Sequence, residues 1–183
     1  YGKSHFNYPL LPNTQNSLYK RFLLRTTMGG WGGNVIADVL CHNIVSGIDM
    51  ETQDFNPVLV FLNGEYWGIH TLRDYIDENY INYQHEINVD TVDLVEGAQT
   101  FYEIITEPDL FGFIEKNELS DAEGLEHIRL HIDIENYLNY QISQMFFSNY
   151  DWPSNNVKFW RPNVESGKWR FIFYDLDGSM TDV

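Results

Sequence analysis

Asn149-Tyr150-Asp151-Trp152-Pro153-Ser154-Asn155-Asn156 and Phe173-Tyr174-Asp175-Leu176-Asp177-Gly178 frame the part of the chain that decides the fold. Upstream of the first segment, Asp133 stands where it can cap a helix. The apolar residues Ile134, Tyr137, Leu138, Ile142, Met145 and Phe146 then recur at helical spacing, and this helix is expected to end near Tyr150. Between the two segments, Asn156 to Trp160 and Lys168 to Tyr174 read as a hairpin turning around Asn163 to Gly167. The order of parts is helix, polar loop, hairpin, and an Asp-x-Asp-Gly at the end of the second strand.

Toward the N-terminus the same mixture continues. Arg21 to Thr26 reads as a short strand, and Met28 to Gly33 as a glycine-rich turn. Asn34 can cap a helix with Val35, Ile36, Val39, Leu40 and Ile44 on its apolar side and Gly47 as a stop. Pro57 to Leu62 and Glu65 to Leu72 flank Asn63-Gly64, the strongest short hairpin signal, and are expected to pair antiparallel. A helix is expected over Asp74 to Tyr83 and a strand over Thr91 to Val95. Residues 96–131 are acidic and read as largely helical, with loops at Glu107-Pro108 and Asp121 to Gly124. No repeat or linker divides the chain, so the reading is one α+β domain over 1–183.

Composition excludes several classes. Hydrophobic residues make up 43% and aromatics 16% of the 183 residues, enough to build a core. No apolar run reaches transmembrane length, so membrane insertion is not expected. The net charge of −16 argues against a nucleic-acid surface, which needs clustered Lys and Arg. Basic residues are nonetheless uneven. Lys3, Lys20, Arg21 and Arg25 stand in a first segment free of acids, and Lys158, Arg161, Lys168 and Arg170 stand near the end against Glu165 alone. A small anionic ligand could be held where those segments meet; ordinary surface scatter is the other reading. Cys41 is the only cysteine, which rules out an internal disulfide, and its apolar helical setting marks it as a core residue.

Asp151 and Asn156 are five positions apart, and the hairpin returns Asp175 and Asp177 toward them. Phosphoryl transfer needs an Asp near the incoming hydroxyl and hard oxygen ligands for a cation bridging nucleotide phosphates. Protein kinases arrange these parts in this order, with an Asp and an Asn at this spacing in the catalytic loop. Read without that analogy, Asp151 and Asn156 are loop caps and Asp177-Gly178 a turn.

Phe61-Leu62-Asn63-Gly64-Glu65-Tyr66-Trp67-Gly68-Ile69-His70 resembles the hallmark segment of the spore-coat protein H (CotH) kinase family. Phe22-Leu23-Leu24-Arg25 is similar to that family's early strand, and Asp151 to Trp160 and Trp169 to Gly178 resemble its catalytic loop and metal-binding end. The resemblance implies an atypical, secreted or surface-associated protein-kinase-like fold around a nucleotide cleft. It would use ATP with Mg²⁺ or Mn²⁺ to phosphorylate protein Ser or Thr. Residues 1–75 would then supply strands and a helix like a kinase N-lobe, and 76–183 the helical part with the catalytic loop and metal-binding hairpin.

Carried over by residue, the resemblance makes Asp151 the catalytic Asp and Asn156, Asp175 and Asp177 the metal ligands. Arg73 becomes the first candidate for gripping nucleotide phosphates and Arg25 the second. Two departures stand out: Tyr75 follows Asp74 where the family often has Lys, and Met28 to Gly33 is glycine-rich yet fits no phosphate-loop pattern. Chains of this kind continue at both ends, so the sequence is expected to be a fragment of a longer exported protein, with Phe171 and Phe173 partly uncovered.

Other readings compete. Phe171 to Ser179 also resembles the first motif of haloacid-dehalogenase-type phosphatases, where the first Asp is a nucleophile. That motif opens an α/β core, whereas here it lies near the end of the sequence. His127 and His131 share a helix face but lack a third ligand, which makes them surface residues. The stretch Phe146, Phe147, Tyr150 and Trp152 reads mostly as core. Finally, a CotH-like domain can serve as a non-catalytic adhesion or binding module on the same fold.

Overall fold

The computed structural model describes residues 4–26, 36–97 and 122–180. Its elements follow the chain as β1 (Phe6–Asn7), β2 (Leu18–Tyr19), β3 (Phe22–Arg25), α1 (Ala37–Ile44), β4 (Phe55–Leu62), β5 (Glu65–Asp74) and α2 (Glu78–His85). After a short 3₁₀ turn at Val89–Thr91 come β6 (Val92–Glu96), α3 (Ala122–His131), α4 (Ile134–Phe146), β7 (Lys158–Pro162) and β8 (Arg170–Ile172). Three sheets form: β1-β2, β3-β5-β4 and β6-β7-β8. Every strand pairing in them is antiparallel. The class is α+β. The phosphatase reading needs an α/β core with a parallel sheet, and the antiparallel β6-β7-β8 sheet that leads into Asp175 does not supply one.

Both expected hairpins form. Asn63 and Gly64 adopt positive φ (52° and 85°), the conformation a two-residue turn between right-twisted strands requires. Leu62 pairs with Glu65, and a bulge interrupts the ladder at Val60/Phe61. In the second hairpin Lys158 pairs with Ile172, which places Asn156 and Tyr174 at the same open end. The glycine-rich turn at Met28 to Gly33, Asn34, and residues 98–121 lie outside the described residues.

Helix α2 starts later than the sequence suggests. Strand β5 continues to Asp74, held by pairing with Phe22, and Asp77 then caps the helix by accepting from the N–H groups of Asn79 (2.9 Å) and Tyr80 (3.1 Å).

The buried faces of two helices differ from expectation. In α1 the inward residues are Ala37, Asp38, Val39, Cys41 and His42, while Ile36, Leu40 and Ile44 are exposed. In α4 the inward residues are Asn136, Tyr140, Ser143 and Gln144, while Leu138, Ile142, Met145 and Phe146 face outward. The reason in α4 is Asn136. Its Oδ1 accepts from the Phe171 N–H (2.6 Å), and its Nδ2 donates to Glu51 Oε2 (2.9 Å) and the Phe171 carbonyl (3.3 Å). The amide thus completes the edge of β8. Arg170 tightens the same joint, donating to Asp49 (2.6 Å), Glu51 (2.8 Å) and Asp133.

Around β8, Tyr140, Phe147, Phe159, Phe171, Phe173 and Leu176 form one core cluster with Cys41 and Val45. Phe171 is 1% exposed and Phe173 is 0% exposed. This corrects the expectation that both are partly uncovered: Tyr140 and Phe159 cover the first ring, His42 and Phe147 the second. Apolar side chains are exposed instead on the outer face of α4, at Leu138, Ile142, Met145 and Phe146.

Asp74 supplies a prediction in pH. It is 1% exposed and accepts from the Tyr83 hydroxyl and from the Asp54 N–H (3.0 Å). Burial outweighs those bonds and lifts the carboxyl from 3.8 to about 6. The folded state therefore holds a proton that the unfolded chain releases. Its contribution is fully present below the unfolded pKa and is lost as pH rises to about 6, a difference of about 3 kcal/mol for two units. The stability of Asp74→Asn relative to the parent should rise by about that amount between pH 4 and pH 7 in urea melts. A flat difference would contradict it.

Candidate functional site

Two loops build the site. The first links α4 to β7 and carries Asp151 and Asn156; the second follows β8 and carries Asp175 and Asp177. They are stitched together by three bonds. The Asn156 Nδ2 donates to the Asp175 carbonyl (3.2 Å), the Met180 N–H to the Phe147 carbonyl (2.9 Å), and the Tyr150 N–H to the Gly178 carbonyl (3.4 Å). The approach is close: a Cβ on Gly178 would fall 2.9 Å from the Tyr150 ring, which would have to shift to admit it. Asn156 (φ 58°) and Asp175 (φ 55°) both adopt the left-handed conformation, which Asn and Asp tolerate best among side-chain-bearing residues. Two such residues facing each other across one bond mark a locally constrained site.

Asp151, Asn156, Asp175, Asp177 and Arg25 line one cavity of about 480 Å³, together with Glu96, Gly97, Ser154, Asn155 and Tyr174. Arg25 reaches it from β3. Its Nη2 donates to Asp175 Oδ1 and to Asp177 Oδ2 (2.6 Å). Burial works against the Arg25 charge, but the two carboxylates more than offset it and raise its pKa. Burial also raises the Asp177 carboxyl, with Arg25 opposing.

Arg73 does not reach this cavity. It is 3% exposed and lies against α1, its guanidinium bonded to Asp38 and its Nε donating to Thr71 Oγ1 (2.9 Å). This corrects the expectation that makes Arg73 the first candidate for gripping nucleotide phosphates in the cleft. The register explains the outcome. Arg25 pairs with Thr71 and Leu23 with Arg73, so both arginines share one face of the sheet. Arg25 stands over the Asp175 loop and Arg73 over α1.

Asp38 is a residue that sequence reasoning missed. Its Oδ2 takes Arg73 and its Oδ1 accepts from the Leu176 N–H (2.6 Å), so it ties α1 and β5 to the backbone between Asp175 and Asp177. Burial alone would raise its pKa, but His42, Arg73 and the Leu176 N–H hold it below the ordinary value. His42 is pushed down to about 4, chiefly by burial. The available signal was a lone acid in the apolar run Val35 to Leu40. Glu96 was also missed, and Lys158 entered only as one of the basic residues near the end. They pair at 3.0 Å at the cavity rim, where Lys158 lies over the Tyr174 ring.

The oxygens available to a cation are the carboxylates of Asp175 and Asp177 and the amide Oδ1 of Asn156, whose Nδ2 is already committed. Among the described residues no group of three His, Cys, Asp or Glu side chains forms a self-sufficient metal site. Two carboxylates and an amide fit Mg²⁺ or Mn²⁺ of the kind that completes its shell with water and phosphate oxygens. The His127 and His131 rings lie near each other on α3, with centroids 5.3 Å apart and planes tilted by 54°. No helix among the described residues is long and apolar enough to cross a membrane.

The sequence model of the family described as CotH kinase protein matches residues 7–183. No curated protein matches the chain.

Proposed function

The chain belongs to the CotH kinase protein family, and from that premise we propose that it transfers the γ-phosphoryl group of ATP to a Ser or Thr hydroxyl of a protein. The observation that carries this reading is the convergence of Arg25, Asp151, Asn156, Asp175 and Asp177 on one cavity. In this proposal Asp175, Asp177 and Asn156 hold a divalent cation, Mg²⁺ or Mn²⁺. The cation, when bound, neutralises charge on the phosphates. Asp151 accepts the proton of the incoming hydroxyl. Arg25, rather than Arg73, contacts phosphate oxygens as a fork. The buried Asp38–Arg73 pair between α1 and β5 plays the part of the helix-acid and strand-cation pair of protein kinases, holding the metal loop in place. On the sheet face that carries Arg25, Ile69 is 54% exposed and Leu59 is 64% exposed, which gives a base an apolar surface.

The test is a nucleotide titration with and without Mg²⁺ or Mn²⁺. ATP should bind in a metal-dependent way, and Asp175→Asn should remove the metal-dependent part. A chain that binds neither nucleotide nor cation at this cavity would instead support the non-catalytic binding module.

A further inference from the structure

The position of Arg25 has a consequence for the order in which ligands bind. A single guanidinium nitrogen bridges the two carboxylates proposed as metal ligands, touching Asp175 Oδ1 and lying 2.6 Å from Asp177 Oδ2. The group is not a loosely placed surface side chain. Arg25 is fixed on β3, and its side chain is 24% exposed, against 30% for Asp175 and 13% for Asp177. Of the other carboxylates near Arg25, Asp38 is engaged by Arg73 and the Leu176 N–H and Glu96 by Lys158, while Asp151 lines the same cavity. A hard divalent cation takes oxygen ligands at about 2.0–2.1 Å. A cation on these two carboxylates and a guanidinium nitrogen bonded to one oxygen of each are like charges in close contact, so the two occupancies oppose each other.

We infer that Arg25 makes the site selective for a divalent cation arriving with a polyphosphate over the free cation. This inference rests on the proposed function and adds a coupling to it. Free cation must compete with Arg25 for Asp175 and Asp177 and brings no anion of its own to receive the guanidinium. A polyphosphate supplies that receiver, because phosphate oxygens match the guanidinium fork as well as a carboxylate does. Cation and nucleotide therefore assist each other through Arg25. By thermodynamic reciprocity each raises the affinity of the other by the same factor. In the absence of nucleotide, the same ion pair holds the β3-β5-β4 sheet to the loop after β8.

The experiment measures Mn²⁺ binding to the 183-residue chain from the electron-paramagnetic signal of free Mn²⁺, alone and with a non-hydrolysable ATP analogue. Arg25→Gln should bind Mn²⁺ alone at least about tenfold more tightly than the parent, and the factor by which the analogue improves Mn²⁺ binding should fall toward one. Arg25→Lys, which keeps the charge but lacks the planar fork for phosphate oxygens, should lie between them and guards against a folding defect in Arg25→Gln. Asp175→Asn identifies the site. If Arg25→Gln binds Mn²⁺ alone no better than the parent, while Asp175→Asn still abolishes binding, the competition is refuted and the proposed function stands. If no variant shows Mn²⁺ binding that depends on Asp175, with or without the analogue, both fall together.

Discussion

Asp151→Asn is expected to lower phosphoryl transfer from ATP by about 10²–10⁴-fold, equivalent to about 3–5 kcal/mol of transition-state stabilisation, while leaving Mg-nucleotide affinity within a few-fold. The expectation follows from where Asp151 stands. It lines the cavity with Asp175 and Asp177, but it comes from the other loop and is not part of the Arg25 ion-pair cluster. Its fold contribution is made by its backbone, whose carbonyl accepts from the Asn155 N–H (2.8 Å), and that bond survives the substitution. Asn preserves size and polarity and removes the negative charge together with the ability to take a proton. The check is a transfer assay with an acidic or Ser/Thr-rich protein acceptor, run beside a nucleotide titration. Transfer within threefold of the parent would remove Asp151 from the chemistry. A parallel collapse of nucleotide affinity would make it a structural residue.

The parts that were legible in the sequence are those set by short-range rules. Asn63-Gly64 announces its hairpin because so few residue pairs accept positive φ twice in a row. Asp133 announces α4 because a carboxylate three residues before the Asn136 N–H is a helix start. The convergence of Asn156 with Asp175 followed from the same logic, since an antiparallel hairpin must bring its two open ends together. Orientation was not legible. The apolar stripe of α4 pointed to a buried face with Leu138, Ile142 and Met145, yet the helix turns Asn136 inward. An amide that satisfies a strand edge and Glu51 at once fixes a rotation that hydrophobic periodicity cannot encode. Arg25 and Arg73 pose the same problem. They occupy one sheet face, and only the packing of α1 under that sheet decides which one meets Asp38 and which one meets Asp175.

That packing implies the second large effect: Asp38→Ala should cost about 3–5 kcal/mol of stability, a large share of the total available to a domain of this size. Asp38 is 3% exposed and Arg73 is 3% exposed, so removing the carboxylate strands a guanidinium away from water. The Leu176 N–H, which now donates to Asp38 at 2.6 Å, loses its acceptor as well. Arg73→Met asks a different question. It leaves Asp38 without its guanidinium but keeps the Leu176 bond, so it should be milder than Asp38→Ala. The double variant Asp38→Ala/Arg73→Met separates the two causes: it removes the stranded guanidinium while the Leu176 N–H still lacks its acceptor. If the double variant recovers much of the loss seen in Asp38→Ala, the cost is mainly the unpaired ion. If it does not, the cost is mainly the loop. The second outcome should carry a functional signature, because a Leu176 backbone that has lost its anchor leaves Asp175 and Asp177 free to drift and should weaken metal-dependent nucleotide binding even in chains that remain folded. Urea denaturation of the single and double variants, with nucleotide titrations on the folded ones, measures both. A loss below about 1 kcal/mol for Asp38→Ala would show that α1 does not hold the loop that carries Asp175 and Asp177.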